Sequence, residues 1–189
     1  MICDNLIETI ISRAYEKIES NDYIGAAKVF SRAWKRVCDY IKNDNISSIE
    51  EYEQKYESTE SVLKWFIIYL DVLQCCFEET GDIKYLEESI NLKENYSEFF
   101  ISNMYSYCQI LLYASESKFN LGKKEEAIKE LKELLEKYDT FEEIYYKISE
   151  LYIKMDRLKE AKKILNNGIC KCEFNTYLRE KLDLIELDK

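Results

Sequence analysis

The chain has no proline and no histidine, and only four glycines among its 189 residues. At the usual frequency of about 5%, a chain of this length would carry about nine or ten prolines. Proline removes a backbone donor and breaks helices, so its absence favours helix nearly everywhere. Without histidine there is no Cys–His zinc site and no imidazole general base. A glycine-rich phosphate loop and a G-x-S-x-G elbow are also missing. The longest apolar run, 62–77, is interrupted by Lys64, Asp71 and Gln74. It falls short of the about 20 residues that a membrane span needs. Residues 1–5 lack the basic region of a secretory signal.

Basic charge is in deficit too. Lys and Arg number 27 against 37 Asp and Glu, a net charge of −10. Such a chain is repelled by phosphate backbones unless its cations are segregated. The basic clusters Lys123-Lys124 and Lys162-Lys163 are interleaved with Glu and read as solvated helix faces. Nucleic acid is therefore not expected as a ligand. The seven cysteines are odd in number. Cys170 and Cys172 are separated by one residue rather than two, with no second pair at zinc-ligand spacing. Free thiols in a reducing cytoplasm are the simplest account, with no metal and no cofactor. Cys75, Cys76 and Cys108 sit in apolar helix patterns, where thiols are usually inert, so catalysis is not expected.

What is present is helical periodicity. Asp4 or Asn5 can cap a first helix that runs to about Glu19, with Leu6, Ile10, Ile11, Ala14, Tyr15 and Ile18 as its apolar stripe. A second opens near Tyr23 and carries Ala26, Phe30 and Ala33, with Trp34, Val37 and Ile41 continuing the face. After a polar loop at 42–47, Ser47 or Ser48 caps a short helix to about Tyr56, an insertion expected to pack beside the main array. The stretch 59–79 is apolar almost all round and is expected to be the most central helix. Gly81-Asp82 turns into a helix carrying Tyr85, Leu86, Ser89 and Ile90. Helices then follow over about 101–120, 124–138, 141–155 (capped by Asp139-Thr140), 158–172 and 175–187. The last places Leu178, Leu182 and Ile185 on one side and charges on the other.

Between Leu111 and Gly168 one pattern occurs twice. Leu111 recurs as Tyr145, Ala114 as Ile148, Ser115 as Ser149, Ala127 as Ala161 and Leu131 as Leu165, each offset being 34 positions. Asp156 takes the turn position that Gly122 holds one period earlier. This period and its small–large–small second helix resemble the tetratricopeptide repeat superfamily. The resemblance extends over essentially the whole chain, most closely over 108–172, less over 1–42 and least over 58–100. Ser48, Ile49, Glu50, Glu51 and Tyr52, through Lys64, Trp65 and Phe66, are also similar to bacterial repeat proteins that often carry a SEC-C zinc segment. That segment is absent, because Cys170-Lys171-Cys172 lacks the other ligands.

The resemblance implies an all-α fold: one domain over 1–189, a right-handed helical-repeat solenoid of about four antiparallel hairpins (2–42, 58–100, 101–138, 141–172). The short inserted helix covers 47–57 and a C-terminal capping helix 174–187. It implies a non-catalytic scaffold that binds a protein or peptide on its concave face, lined by the first helix of each hairpin. The alternative is a peptide-sensing regulatory module acting through a separate effector. On those first helices the inward positions would be Leu112, Tyr113, Glu116 and Asn120, then Tyr146, Lys147, Glu150 and Lys154, with Asp71 and Glu78 in comparable places. The candidate groove is Asp71, Tyr113, Glu116, Tyr146, Lys147 and Glu150. Its tyrosines and carboxylates would suit a basic segment. Core tyrosines beside merely solvated glutamates are the other reading of the same residues. Monomer and dimer remain equally open.

Overall fold

A computed structural model describes residues 5–57 and 60–187. Ten α-helices and one 3₁₀ turn account for the fold, and no strand occurs among the described residues. The helices are α1 (Asn5–Glu19), α2 (Tyr23–Asn43), α3 (Ile49–Tyr56), α4 (Val62–Thr80), α5 (Lys84–Tyr96), α6 (Met104–Asn120), α7 (Lys124–Lys137), α8 (Glu142–Lys154), α9 (Leu158–Lys171) and α10 (Thr176–Leu187). The chain divides into two compact units, Met1–Ser117 and Lys118–Lys189.

Local chemistry explains most of the boundaries. Asp22 caps α2 by accepting the Gly25 N–H at 2.8 Å. Ser48 caps α3 through the Glu51 N–H, and Glu51 reaches back to the Ser47 N–H at 2.8 Å. That reciprocity shields two otherwise unpaired donors. α4 starts at Val62 rather than at Thr59, which lies outside the described residues, because Glu53 Oε1 accepts the Val62 N–H at 2.5 Å. α6 starts at Met104 rather than Ile101. The 3₁₀ turn Ser97–Phe100 precedes it, and Asn103 Oδ1 accepts the Ser106 N–H at 2.9 Å. Asp139 does not cap α8 as expected: Phe141 holds that position, and the Asp139 carboxylate pairs with Lys171 at 2.6 Å. The proposed cap Asp4 lies outside the described residues. Asp156 does take the place of the turn glycine, with φ of 59° where Gly122 has 86°. Such a left-handed conformation costs an ordinary residue about 1–2 kcal/mol and is most tolerable for Asn or Asp.

In the first unit the core is aromatic. Trp65 stacks on Phe30 with centroids 6.1 Å apart, Phe66 on Phe100 at 4.7 Å, and Trp34 tilts against Phe66 at 4.4 Å. Every one of these rings is at least 96% buried. α4 supplies eight buried residues, so its near-complete apolarity reflects packing on several sides. α3 is more integral than an appended insertion. Ile49, Tyr52 and Tyr56 are buried in the same core, and Tyr56 lies 4.7 Å from Tyr40 and 4.9 Å from Tyr52, centroid to centroid.

In the second unit the repeat's small–large–small logic is visible atom by atom. Ala127 and Leu131 of α7 and Ala161 and Leu165 of α9 are all completely buried. A Cβ added at Gly168 would stand 2.6 Å from Leu178 Cδ1 and 2.7 Å from Tyr145 Cγ. Only glycine lets α8, α9 and α10 meet there. On α10, Leu178 and Ile185 are buried and Leu182 is half-buried, as expected. Its outer side departs from the expected run of charges, since Tyr177, Leu184 and Leu187 are exposed there. These three, at spacings of seven and three, form a second apolar stripe that the first one masks in the sequence.

Candidate functional site

The six sequence-derived positions fall in two groups, one in each unit. In the first unit, Asp71 lies exposed on α4 and Tyr113 half-buried on α6. The Tyr113 hydroxyl donates to Asp71 Oδ1 at 3.2 Å. Burial, then the Asp71 and Glu116 charges, push the Tyr113 phenol well above its ordinary range. Glu116 is half-buried less than one turn further along α6. Leu112, expected to line the concave groove, is buried, because it shares the apolar side of α6 with Cys108.

In the second unit Tyr146, Lys147 and Glu150 stand together on α8. Lys147 Nζ is 3.5 Å from Glu150 Oε2. A further group, not anticipated from the sequence, completes the cluster. Lys181 of α10 places its ammonium 5.1 Å from the centre of the Tyr146 ring and 3.4 Å from Glu150 Oε1. The signal for it is the same period: Lys181 lies 34 positions after Lys147, Leu178 after Ile144, and Ile185 after Leu151. α10 therefore continues the repeat register as a first helix, where its polarity suggests only a cap.

Four of the thiols are poorly set up as nucleophiles. Burial pushes Cys76 up to about 12, and burial also raises Cys38, Cys75 and Cys172. Reactive cysteines need the opposite shift. All six described cysteines are free; Cys3 lies outside the described residues. Among the described residues no group of three His, Cys, Asp or Glu could hold a metal, and no helix is long and apolar enough to cross a membrane.

Five tyrosines tie this chemistry to a measurable pH dependence. Tyr15, Tyr69, Tyr113 and Tyr145 are raised chiefly by burial, and Tyr96, mainly through its hydrogen bond with Cys38, to about 12. A raised folded value means that the native state holds protons which the unfolded chain has already released. Stability from these groups is therefore intact below about pH 10 and is lost as pH rises through their folded values. In an alkaline titration followed by phenolate absorbance, the five should ionise late, together with loss of helical circular dichroism. Ionisation of all 16 tyrosines in a single step near pH 10, ahead of any loss of helix, would contradict this.

Three comparisons bear on the arrangement. A family profile described as tetratricopeptide repeat matches residues 120–169. A crystal structure of a thermophilic tetratricopeptide-repeat protein from Thermus thermophilus is similar, with a TM-score of 0.54 and 19% identity, over 96% of this chain and 99% of that one. No curated protein matches the chain in sequence. The chain thus has the tetratricopeptide-repeat fold, an all-α helical repeat whose repeat sequence is clearest at 120–169.

Proposed function

We propose that the chain is a non-catalytic scaffold that binds a basic protein segment along the first helices of its hairpins, at Asp71, Tyr113, Glu116, Tyr146, Lys147 and Glu150. The observation that carries this reading is Lys181, whose ammonium lies over the Tyr146 ring and beside Glu150. One cation of the chain already uses the tyrosine–carboxylate pair in the way a partner's Lys or Arg would. Each such contact is modest, about 0.5–1 kcal/mol at an exposed site. Useful affinity therefore requires several such contacts. Asp71 with Tyr113, and Glu116, supply the same chemistry in the other unit. The free and mostly buried thiols fit a reducing cytoplasm.

Carbodiimide coupling, which joins lysine to carboxylate without a spacer, tests the proposal in extract of the source organism. An intramolecular Lys181–Glu150 link is the internal control, since the two groups are 3.4 Å apart. The expected product joins partner lysines to Asp71, Glu116 or Glu150. It should disappear in the Asp71→Asn/Glu116→Gln/Glu150→Gln variant at unchanged helix content. Partner links confined to other carboxylates, such as those of α7, would refute the assignment.

A further inference from the structure

A second candidate site lies in the first unit, at residues other than those six. α2, α4 and α5 line an open pocket of about 490 Å³, within the usual size range of ligand sites. Ala27 and Leu73, both buried, form an apolar floor. Its single carboxylate, Glu88, is engaged by the Tyr69 hydroxyl at 3.2 Å. Lys84 pairs with Asp82 at 2.5 Å and lies 4.7 Å from the centre of the Tyr85 ring. Two cations remain, Lys28 and Arg32, both exposed on the pocket's α2 side. Arg32 has no hydrogen bond or ion pair among the described residues, and Lys28 feels only the more distant charge of Asp22. In a chain with a net charge of −10, a pocket with two uncommitted cations selects for an anion.

Geometry narrows the class. Lys28 and Arg32 are four residues apart, about 6 Å along the helix axis. Side chains on one side of an extended peptide repeat at about 6.6 Å. The residue between them turns the other way, here towards Tyr85 on α5. We propose that this pocket binds an extended acidic peptide segment of the form acid–x–acid. Its carboxylates would meet Lys28 and Arg32, and its central side chain, apolar or aromatic, would meet Tyr85. A nucleic acid carries many more charges than two cations can neutralise, so a chain with a net charge of −10 disfavours it more than a short diacidic segment.

The intact chain would be probed with an array of hexapeptides carrying acid–x–acid, acid–acid or the corresponding amides, and hits titrated while backbone amide resonances are followed. Acid–x–acid peptides with a large central side chain should bind best and shift the amides of Ser31, Arg32 and Tyr85. Arg32→Glu should weaken them about tenfold or more, the scale of one charge-assisted hydrogen bond. Lys163→Glu makes the same charge change on an exposed face of α9 and should stay within about twofold. Equal binding of the amide peptides, or of the Arg32→Glu variant, would overturn the proposal. So would inorganic phosphate shifting these amides where no peptide does, which would make the pocket a small-anion site. None of these outcomes depends on the carboxylates tested by carbodiimide coupling, so either site can fail without the other.

Discussion

Replacing Trp65 with alanine is expected to cost about 3–5 kcal/mol, the range for removing a large buried aromatic. That is a large share of the about 5–15 kcal/mol that holds a domain folded. Trp65 is completely buried and touches rings from two helices: it stacks on Phe30 of α2 at 6.1 Å, meets the edge of Trp34 of α2 at 6.1 Å, and lies against Phe66 of its own helix at 6.5 Å. The void would open between α2 and α4, where Phe30 and Trp34 are themselves held by stacking and cannot collapse inward without leaving other partners. With a slope of about 4 kcal/mol/M in guanidinium, the midpoint should fall by about 1 M. Trp65→Phe should cost far less. It keeps a ring in the stack and removes an indole N–H that finds no acceptor among the described residues; a buried donor without a partner costs about 1–3 kcal/mol. Trp34 remains as a fluorescent reporter in both variants. Equal losses for alanine and phenylalanine would show that a single six-membered ring cannot hold this stack, against the expectation.

How far the sequence announces this structure depends on where the determining contacts lie. Where one residue decides a feature through its own backbone or its helix, the feature is legible. Ser48 caps α3, Asp156 adopts the left-handed turn, and Ala161, Leu165 and Gly168 mark the close face of α9. Where partners distant in sequence decide it, the pattern is silent. The start of α4 depends on Glu53, on the preceding helix. Asp139 looks like a cap until Lys171, 32 residues on, takes its carboxylate. Tyr52 and Tyr56 look like one face of an appended helix, yet they join the core because Tyr40 of α2 stands opposite.

The candidate sites follow the same division. Tyr113, Glu116, Lys147 and Glu150 can be named because the period of 34 repeats their positions on first helices, and Asp71 by its comparable place on α4. Lys181 obeys the same period but is hidden by the cap-like polarity of α10. The α2–α4–α5 pocket cannot be seen at all. Nothing in the sequence marks Lys28 and Arg32, and it is the placement of α4 and α5 residues across from them that makes a cavity.

Lys118 shows how sharply a buried charge should discriminate between substitutions. Its side chain is only 8% exposed, and its ammonium lies 3.1 Å from Glu126 Oε1 and 2.5 Å from Glu130 Oε1, one turn apart on α7. Burial alone would lower the lysine's pKa, but the hydrogen bonds and charges of Glu130 and Glu126 outweigh it and raise the value. The ammonium is therefore retained at neutral pH, and its contribution is lost only in alkali, as pH climbs past about 10.4 through the raised folded value. Lys118→Glu would bury a carboxylate against two others and should cost about 3–5 kcal/mol at neutral pH. The new carboxyl's folded pKa would be raised, so the deficit should shrink as pH falls from 8 towards 5. Lys118→Met keeps the buried aliphatic stem, while Glu126 and Glu130, 51% and 30% exposed, can hydrate. Its cost should be about 1 kcal/mol or less. Thermal melts of the two variants at pH 5 and pH 8 separate the cases. A methionine variant as damaged as the glutamate one would mean that the ion pairs themselves hold the end of α6 to α7. A pH-independent glutamate deficit would mean that the new carboxylate escapes to solvent and that the loss lies in packing.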